Sequence, residues 1–161
     1  MHPSIKIKCV YDELVDLKDL KEHPKNFKPH PEAQLHRFAK IIEYQGIRRP
    51  IRVSRLSGYI TSGHGLLRAL LQLESLHRIK IKAPVNYQDY DSEEQEIADL
   101  VADNALQAWS DLDLSALNLE LPNLGPFTDL EMFGLRSFKL DLPGNSKKGC
   151  PKCGYIKEKI S

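Results

Sequence analysis

The run Tyr59-Ile60-Thr61-Ser62-Gly63-His64-Gly65-Leu66-Leu67-Arg68 is the segment of this chain with the plainest chemical use. A strand that passes through a Gly-x-Gly turn into a helix leaves the first backbone N–H groups of that helix without partners. The glycines allow close approach and the helix dipole favours negative charge there, so Ser62, Gly63, His64 and Gly65 form a candidate phosphate-binding turn. Arg68, one turn into the helix, offers a forked donor for phosphate oxygens. His64 suits the role of general base or phosphate donor, because imidazole titrates near neutrality. A plain strand–helix junction also needs glycine, so an architectural reading stands beside the chemical one.

Three further groups carry possible chemistry. Gly46-Ile47-Arg48-Arg49-Pro50, with Arg52 and Arg55, places four arginines within eight residues. Arginine throughout, rather than lysine, tilts Arg48 and Arg49 toward phosphate contacts, although an exposed basic sheet edge has the same composition. Asp103-Asn104 sets a carboxylate beside an amide, a pair that can ligate Mg²⁺ or orient a water on a phosphate; more commonly it is a polar helix end. Cys150-Pro151-Lys152-Cys153-Gly154 has the spacing of a zinc knuckle, in which Cys150 and Cys153 fill two of four tetrahedral positions. With no second pair of ligands nearby, three arrangements stay open. These are a Zn²⁺ site shared between two chains of a homodimer, a truncated ribbon, or a disordered tail with two free thiols.

The elements that must position these groups are legible from periodicity. Ile5 to Val10 alternates apolar and polar residues like a half-buried strand. A proline-rich loop over residues 22–31 follows, and Pro31 opens a helix whose stripe is Leu35, Phe38, Ile41 and Ile42, stopped by Gly46. Pro50–Ser54 and Tyr59–Thr61 read as a hairpin closed by Leu56-Ser57-Gly58. The helix after Gly65 is apolar almost all round and should be buried. A strand is expected over residues 79–85, with Pro84 placing it near an edge or bulge. Ser92 and Gln95 form a capping box for a helix through Ile97, Leu100, Val101 and Ala105. Helices are thus expected at about 31–45, 64–75 and 92–108 around a small mixed sheet, an α/β (α+β) fold.

Bulk composition bounds the rest. At 161 residues, 41% hydrophobic and 28% charged, the chain has the make-up of one soluble domain plus a tail. No apolar run approaches the ~18 residues of a membrane span. The N-terminus lacks an apolar signal core, and three cysteines make no disulfide framework, so a reducing, cytoplasmic location is expected. The net charge of +1 conceals segregation. Residues 1–90 carry 16 Lys+Arg against 9 Asp+Glu, residues 91–143 carry 2 against 12, and residues 144–161 carry 5 against 1. The basic first half suits an anionic partner such as nucleic acid or nucleotide, and the acidic leucine-rich segment could dock a protein.

The order of these features resembles the ParB N-terminal-like family of the ParB/sulfiredoxin fold, particularly its short phage and mobile-element proteins with a ParB-like nuclease domain. The likeness spans about residues 5–110: a strand and Asn26–Pro31 loop, a helix, Gly46-Ile47-Arg48-Arg49-Pro50, a hairpin, then Gly63-His64-Gly65-Leu66-Leu67-Arg68-Ala69. Asp103-Asn104 stands where the family has Glu-Asn. The resemblance implies a ParB/sulfiredoxin-like domain over 1–110, and composition adds an acidic leucine-rich helical extension over 111–143 and a flexible tail with the CxxC over 144–161. It implies binding of a nucleoside triphosphate with Mg²⁺, or of a DNA backbone, and in some relatives metal-dependent nuclease or NTPase chemistry, here through His64, Asp103 and Asn104. Relatives that hydrolyse CTP carry Glu and two Arg after the first glycine, where this chain has His64, Gly65 and Leu66. The sulfiredoxin branch carries a catalytic cysteine in this turn, which this chain lacks. Binding is therefore the preferred expectation, and a non-catalytic interaction module acting through residues 111–143 is the alternative.

Overall fold

The computed structural model describes residues 5–109, with side chains described through residue 105. The expected extension over 111–143 and the Cys150/Cys153 knuckle lie outside the described residues. Within them the element order is β1 (Glu13–Asp16), a 3₁₀ turn (Leu17–Asp19), β2 (Lys21–Glu22), α1 (Glu32–Gln45), β3 (Ile51–Ser54), β4 (Tyr59–Ser62), α2 (His64–His77), β5 (Lys82–Gln88) and α3 (Glu93–Trp109). The five strands form one mixed sheet in the order β1-β5-β3-β4-β2. The β1/β5 and β3/β4 pairs are antiparallel, and the β3/β5 and β2/β4 pairs are parallel. This is the expected α+β class.

Buried aliphatic side chains from both helices and strands make the core: Ile42 from α1, Ile51 and Ile60 from the hairpin, Leu67, Leu70 and Leu73 from α2, and Val85 from β5. Helices α1 and α2 pack on each other and are bridged at one end by Glu43 and His77, whose Oε1 and Nε2 lie 2.5 Å apart. Helix α3 packs against β4.

Where expectation and structure part, the cause is local. Residues 5–10 alternate in burial as their pattern requires, but they make only an isolated parallel bridge between Ile7 and Ile47. The sheet edge is instead taken by Glu13–Asp16, a segment whose charged ends hid its strand character. The fifth strand starts at Lys82, three residues later than expected. It lies inside the sheet, yet its pairing with β3 begins only at Val85, so Pro84 faces β1 alone and its missing N–H costs no bond to β3. Val101 faces solvent; the inward stripe of α3 is Glu96, Leu100 and, partly, Asp103. The Ser92 half of the capping box is present, its Oγ accepting from the Gln95 N–H at 3.3 Å, while Gln95 Oε1 reaches one residue further back and accepts from the Asp91 N–H at 2.7 Å.

Candidate functional site

Gly63 is the N-cap of α2 and sits in the left-handed region, at φ 102° and ψ 17°. A Cβ there would lie 3.2 Å from Ile51 Cα, so both backbone angle and space reserve the position for glycine. No side chain caps this helix, and its first internal bond runs from the Leu67 N–H to the Gly63 carbonyl at 2.9 Å. The amides of His64, Gly65 and Leu66 precede that bond and have no carbonyl one turn back. All three residues line a cavity of about 630 Å³. Its wall also holds Ser62, Lys28, Arg49 and Arg52, and its apolar side is built by Leu35, Phe38 and Leu100.

Several of the residues singled out in the sequence meet here. Ser62, Gly63, His64, Gly65, Arg49, Asp103 and Asn104 line this one cavity. Arg48 lines a smaller adjoining cavity of about 280 Å³, whose wall shares Phe38, Arg49 and Leu66 with the first. Arg68 lies elsewhere. Its Nε and Nη2 donate to the two carboxylate oxygens of Glu22 on β2, at 2.8 and 2.6 Å, beside a second depression that is walled by His23, Pro24 and Phe27 and shares Asn26 and Lys28 with the first. The pair holds Glu22 below the usual carboxylate range and raises Arg68. As placed, Arg68 ties α2 to β2.

The groups considered for catalysis are engaged as well. Asp103 accepts from Arg52 Nη2 at 2.9 Å and from Ser62 Oγ at 3.0 Å, and Asn104 Nδ2 donates to the Leu100 carbonyl within its own helix. Asp99, one turn before Asp103, faces Arg52 at 3.7 Å and accepts from the Tyr90 hydroxyl at 2.7 Å. Among the described residues no three His, Cys, Asp or Glu side chains gather closely enough to hold a metal ion.

His64 is 5% exposed, and its Nε2 accepts from the His23 N–H at 3.2 Å, which places the ring proton on Nδ1. The Nε2 lone pair is thereby occupied, which leaves the general-base role without a free one. Burial pushes the imidazole down to about 4, with Glu22 opposing and His30, His23 and Arg68 adding to the fall. Because the folded value lies below the unfolded 6.5, the unfolded chain binds more protons between these limits, and stability falls as pH drops from about 6.5 to 4. His64→Gln, which keeps an acceptor but cannot titrate, is expected to lose less Tm than the parent between pH 7 and 4.5. An equal loss in both proteins would show that this ring does not control the acid response.

One part of the site and one buried cluster outside its lining were not foreseen. His30, between Pro29 and Pro31 in the loop before α1, lays its ring on Gly65, where a Cβ would come 3.1 Å from Cε1. Gly65 is thus reserved for this imidazole as much as for a ligand. The second is a buried cluster around Glu96 of α3, which accepts from Ser54 Oγ and Ser57 Oγ, each at 2.6 Å, and faces His23 Nε2 at 3.3 Å. His23 Nδ1 accepts from the Lys25 N–H, so the Nε2 proton points to Glu96. One signal was available: Glu96 precedes Leu100 by four residues on the inward stripe of α3.

No protein-family model and no curated protein sequence matches the chain. Its fold is similar to that of the C-terminally truncated chromosome-partitioning protein ParB from Caulobacter crescentus, solved in complex with CTP-gamma-S. The TM-score is 0.55 and the identity 18%, over 77% of this chain and 65% of that one. The fold is ParB-like. The chain spans about two thirds of that structure's length, and no helix among the described residues is long and apolar enough to cross a membrane.

Proposed function

We propose that this protein binds a nucleotide through its phosphates at the start of α2. The observation that carries the reading is the uncapped first turn of α2 opening into a cavity of about 630 Å³, walled on other sides by Lys28 and Arg49. A volume of this size lies in the range of small-ligand sites, and a helix start with an arginine nearby is the usual chemistry of phosphate capture. The apolar stretch of Leu35 and Phe38 supplies a surface for a base or sugar. The likeness to a ParB structure holding CTP-gamma-S supports the same reading from the fold.

Binding is favoured over hydrolysis or nuclease action, because Asp103, Asn104 and the His64 Nε2 are all committed to internal bonds. A melting screen against CTP, ATP, GTP and a short DNA duplex, with and without Mg²⁺, tests the proposal. A nucleotide at 100 times its Kd should stabilise the fold by about 2.7 kcal/mol. Stabilisation by DNA alone would move the assignment to a nucleic-acid backbone, and no shift with any ligand would remove it.

A further inference from the structure

The smaller hollow, of about 280 Å³, is an apolar groove with a charged rim. Phe38, Ile42, Ile47 and Leu66 wall it, and Phe38 is only half-buried. Arg48 and Arg49 stand exposed beside these walls. Neither makes a hydrogen bond or an ion pair among the described residues, whereas Arg52, Arg55 and Arg68 each face a carboxylate. Two unpaired guanidinium groups beside an apolar groove suit an occupant that is at once apolar and acidic.

The chain carries such a segment. Residues 111–121 hold five leucines, three carboxylates and no lysine or arginine. Leu114, Leu117 and Leu121 recur at the i, i+3, i+7 spacing of a helical stripe, Asp113 and Glu120 flank that stripe, and Pro122 ends the pattern. From Leu114 to Leu121 a helix covers about 10 Å, the same length of helix as from Phe38 to Gln45 on the α1 wall of the groove. The segment also begins close by. Asp103 and Asn104 of α3 line the larger cavity, which shares Phe38, Arg49 and Leu66 with the groove, and α3 runs on only to Trp109. The helix beyond Asn104 adds about 7.5 Å, and residues 110–113 reach roughly 13 Å further when extended. A tether this short gives an effective concentration on the order of millimolar.

We infer that residues 111–121 of the chain itself dock in this groove as an amphipathic helix, with the leucine stripe against the apolar walls and the carboxylates toward the arginine rim. This is recognition of a helix by a groove, with anchors at i, i+3 and i+7. Arg48 lines the groove and not the larger cavity, so its variants report on docking without touching the proposed phosphate site.

Hydrogen exchange followed amide by amide in the full chain, at two protein concentrations tenfold apart and without nucleotide, tests the contact. The amides of residues 114–121 are expected to exchange about tenfold or more slowly than in an unfolded chain, equally at both concentrations. Leu117→Asp should abolish that protection and shift the amides of Phe38, Ile47 and Leu66, while unchanged amides at Ile60 and Leu70 show an intact core. Arg48→Glu should cut the protection about threefold at low salt, as the loss of an exposed ion pair does, and adding Asp113→Arg should restore it. Protection that Arg48→Glu leaves intact would place the segment on another surface and overturn the inference. Protection that rises with concentration would put the segment of a second copy in the groove and overturn the intramolecular contact. No protection in the parent would overturn docking altogether and leave the groove to a different partner. Since no nucleotide is present, failure of the phosphate site and failure of this contact are read separately.

Discussion

Glu96→Ala is expected to destabilise the fold by about 2–6 kcal/mol, roughly 1–3 kcal/mol for each of two buried donors left without an acceptor. The carboxylate is 2% exposed and accepts from Ser54, Ser57 and His23, which reach it from the β3–β4 hairpin and from the loop after β2. Removing it leaves the Ser54 hydroxyl and the His23 Nε2–H buried without an acceptor, whereas Ser57 is exposed enough to turn to water. Against a typical domain stability of about 5–15 kcal/mol, that loss is a large share of the total. Glu96→Gln, which keeps the shape and one acceptor oxygen, should cost roughly 1–2 kcal/mol. Urea denaturation of the two variants checks the ordering. An alanine variant losing under 1 kcal/mol would mean that α3 is held by Leu100 and the Arg52–Asp103 contact instead.

Gly46→Ala should cost about 3 kcal/mol or more, although it adds a single methyl group. Gly46 closes α1 at φ 81° and ψ −179°, a region essentially confined to glycine, where another residue pays about 1–3 kcal/mol in strain. The new Cβ would also lie 2.4 Å from the Lys6 carbonyl oxygen, in rigid backbone. That oxygen accepts from the Ile47 N–H, and the Lys8 N–H donates to the Ile47 carbonyl, both at 2.8 Å. Relieving the clash therefore breaks the bridge that pins the N-terminal segment, at roughly 0.5–1.5 kcal/mol for each bond. The expected signature is a large fall in stability together with loss of amide protection at Lys8 and Ile47. A variant as stable as the parent would show that residues 5–9 contribute nothing to the fold.

The sequence made the helices and the hairpin readable because their signals are local. Pro31 and Gly46 bracket α1, Ser92 and Gln95 open α3, and a Gly-containing turn joins β3 to β4. Strands β1 and β2 escaped notice because neither is long or apolar; they exist through their pairing with β5 and β4, which local pattern does not encode. The glycine turn was placed correctly at the start of α2 for the same local reason. The partners of its neighbours were not. Spacing offers Arg68 as a forked donor for a phosphate, but β2 brings Glu22 to it from 46 residues away. Asp103 likewise finds Arg52 and Ser62 across 51 and 41 residues. Ion pairs of this kind depend on the sheet order, and spacing along the chain carries no trace of it.

An amide-resolved NMR titration of the protein with CTP, compared with pyrophosphate, tests the phosphate site most directly. If the first turn of α2 holds the phosphates, the largest saturable shifts should fall on the backbone N–H groups of His64, Gly65 and Leu66, and pyrophosphate should reproduce them. CTP alone should also move Leu35 and Phe38 on the apolar wall of the cavity. Saturable shifts gathered on another surface, with the three α2 amides unmoved, would contradict the account and leave Gly63 and Gly65 with architectural roles only.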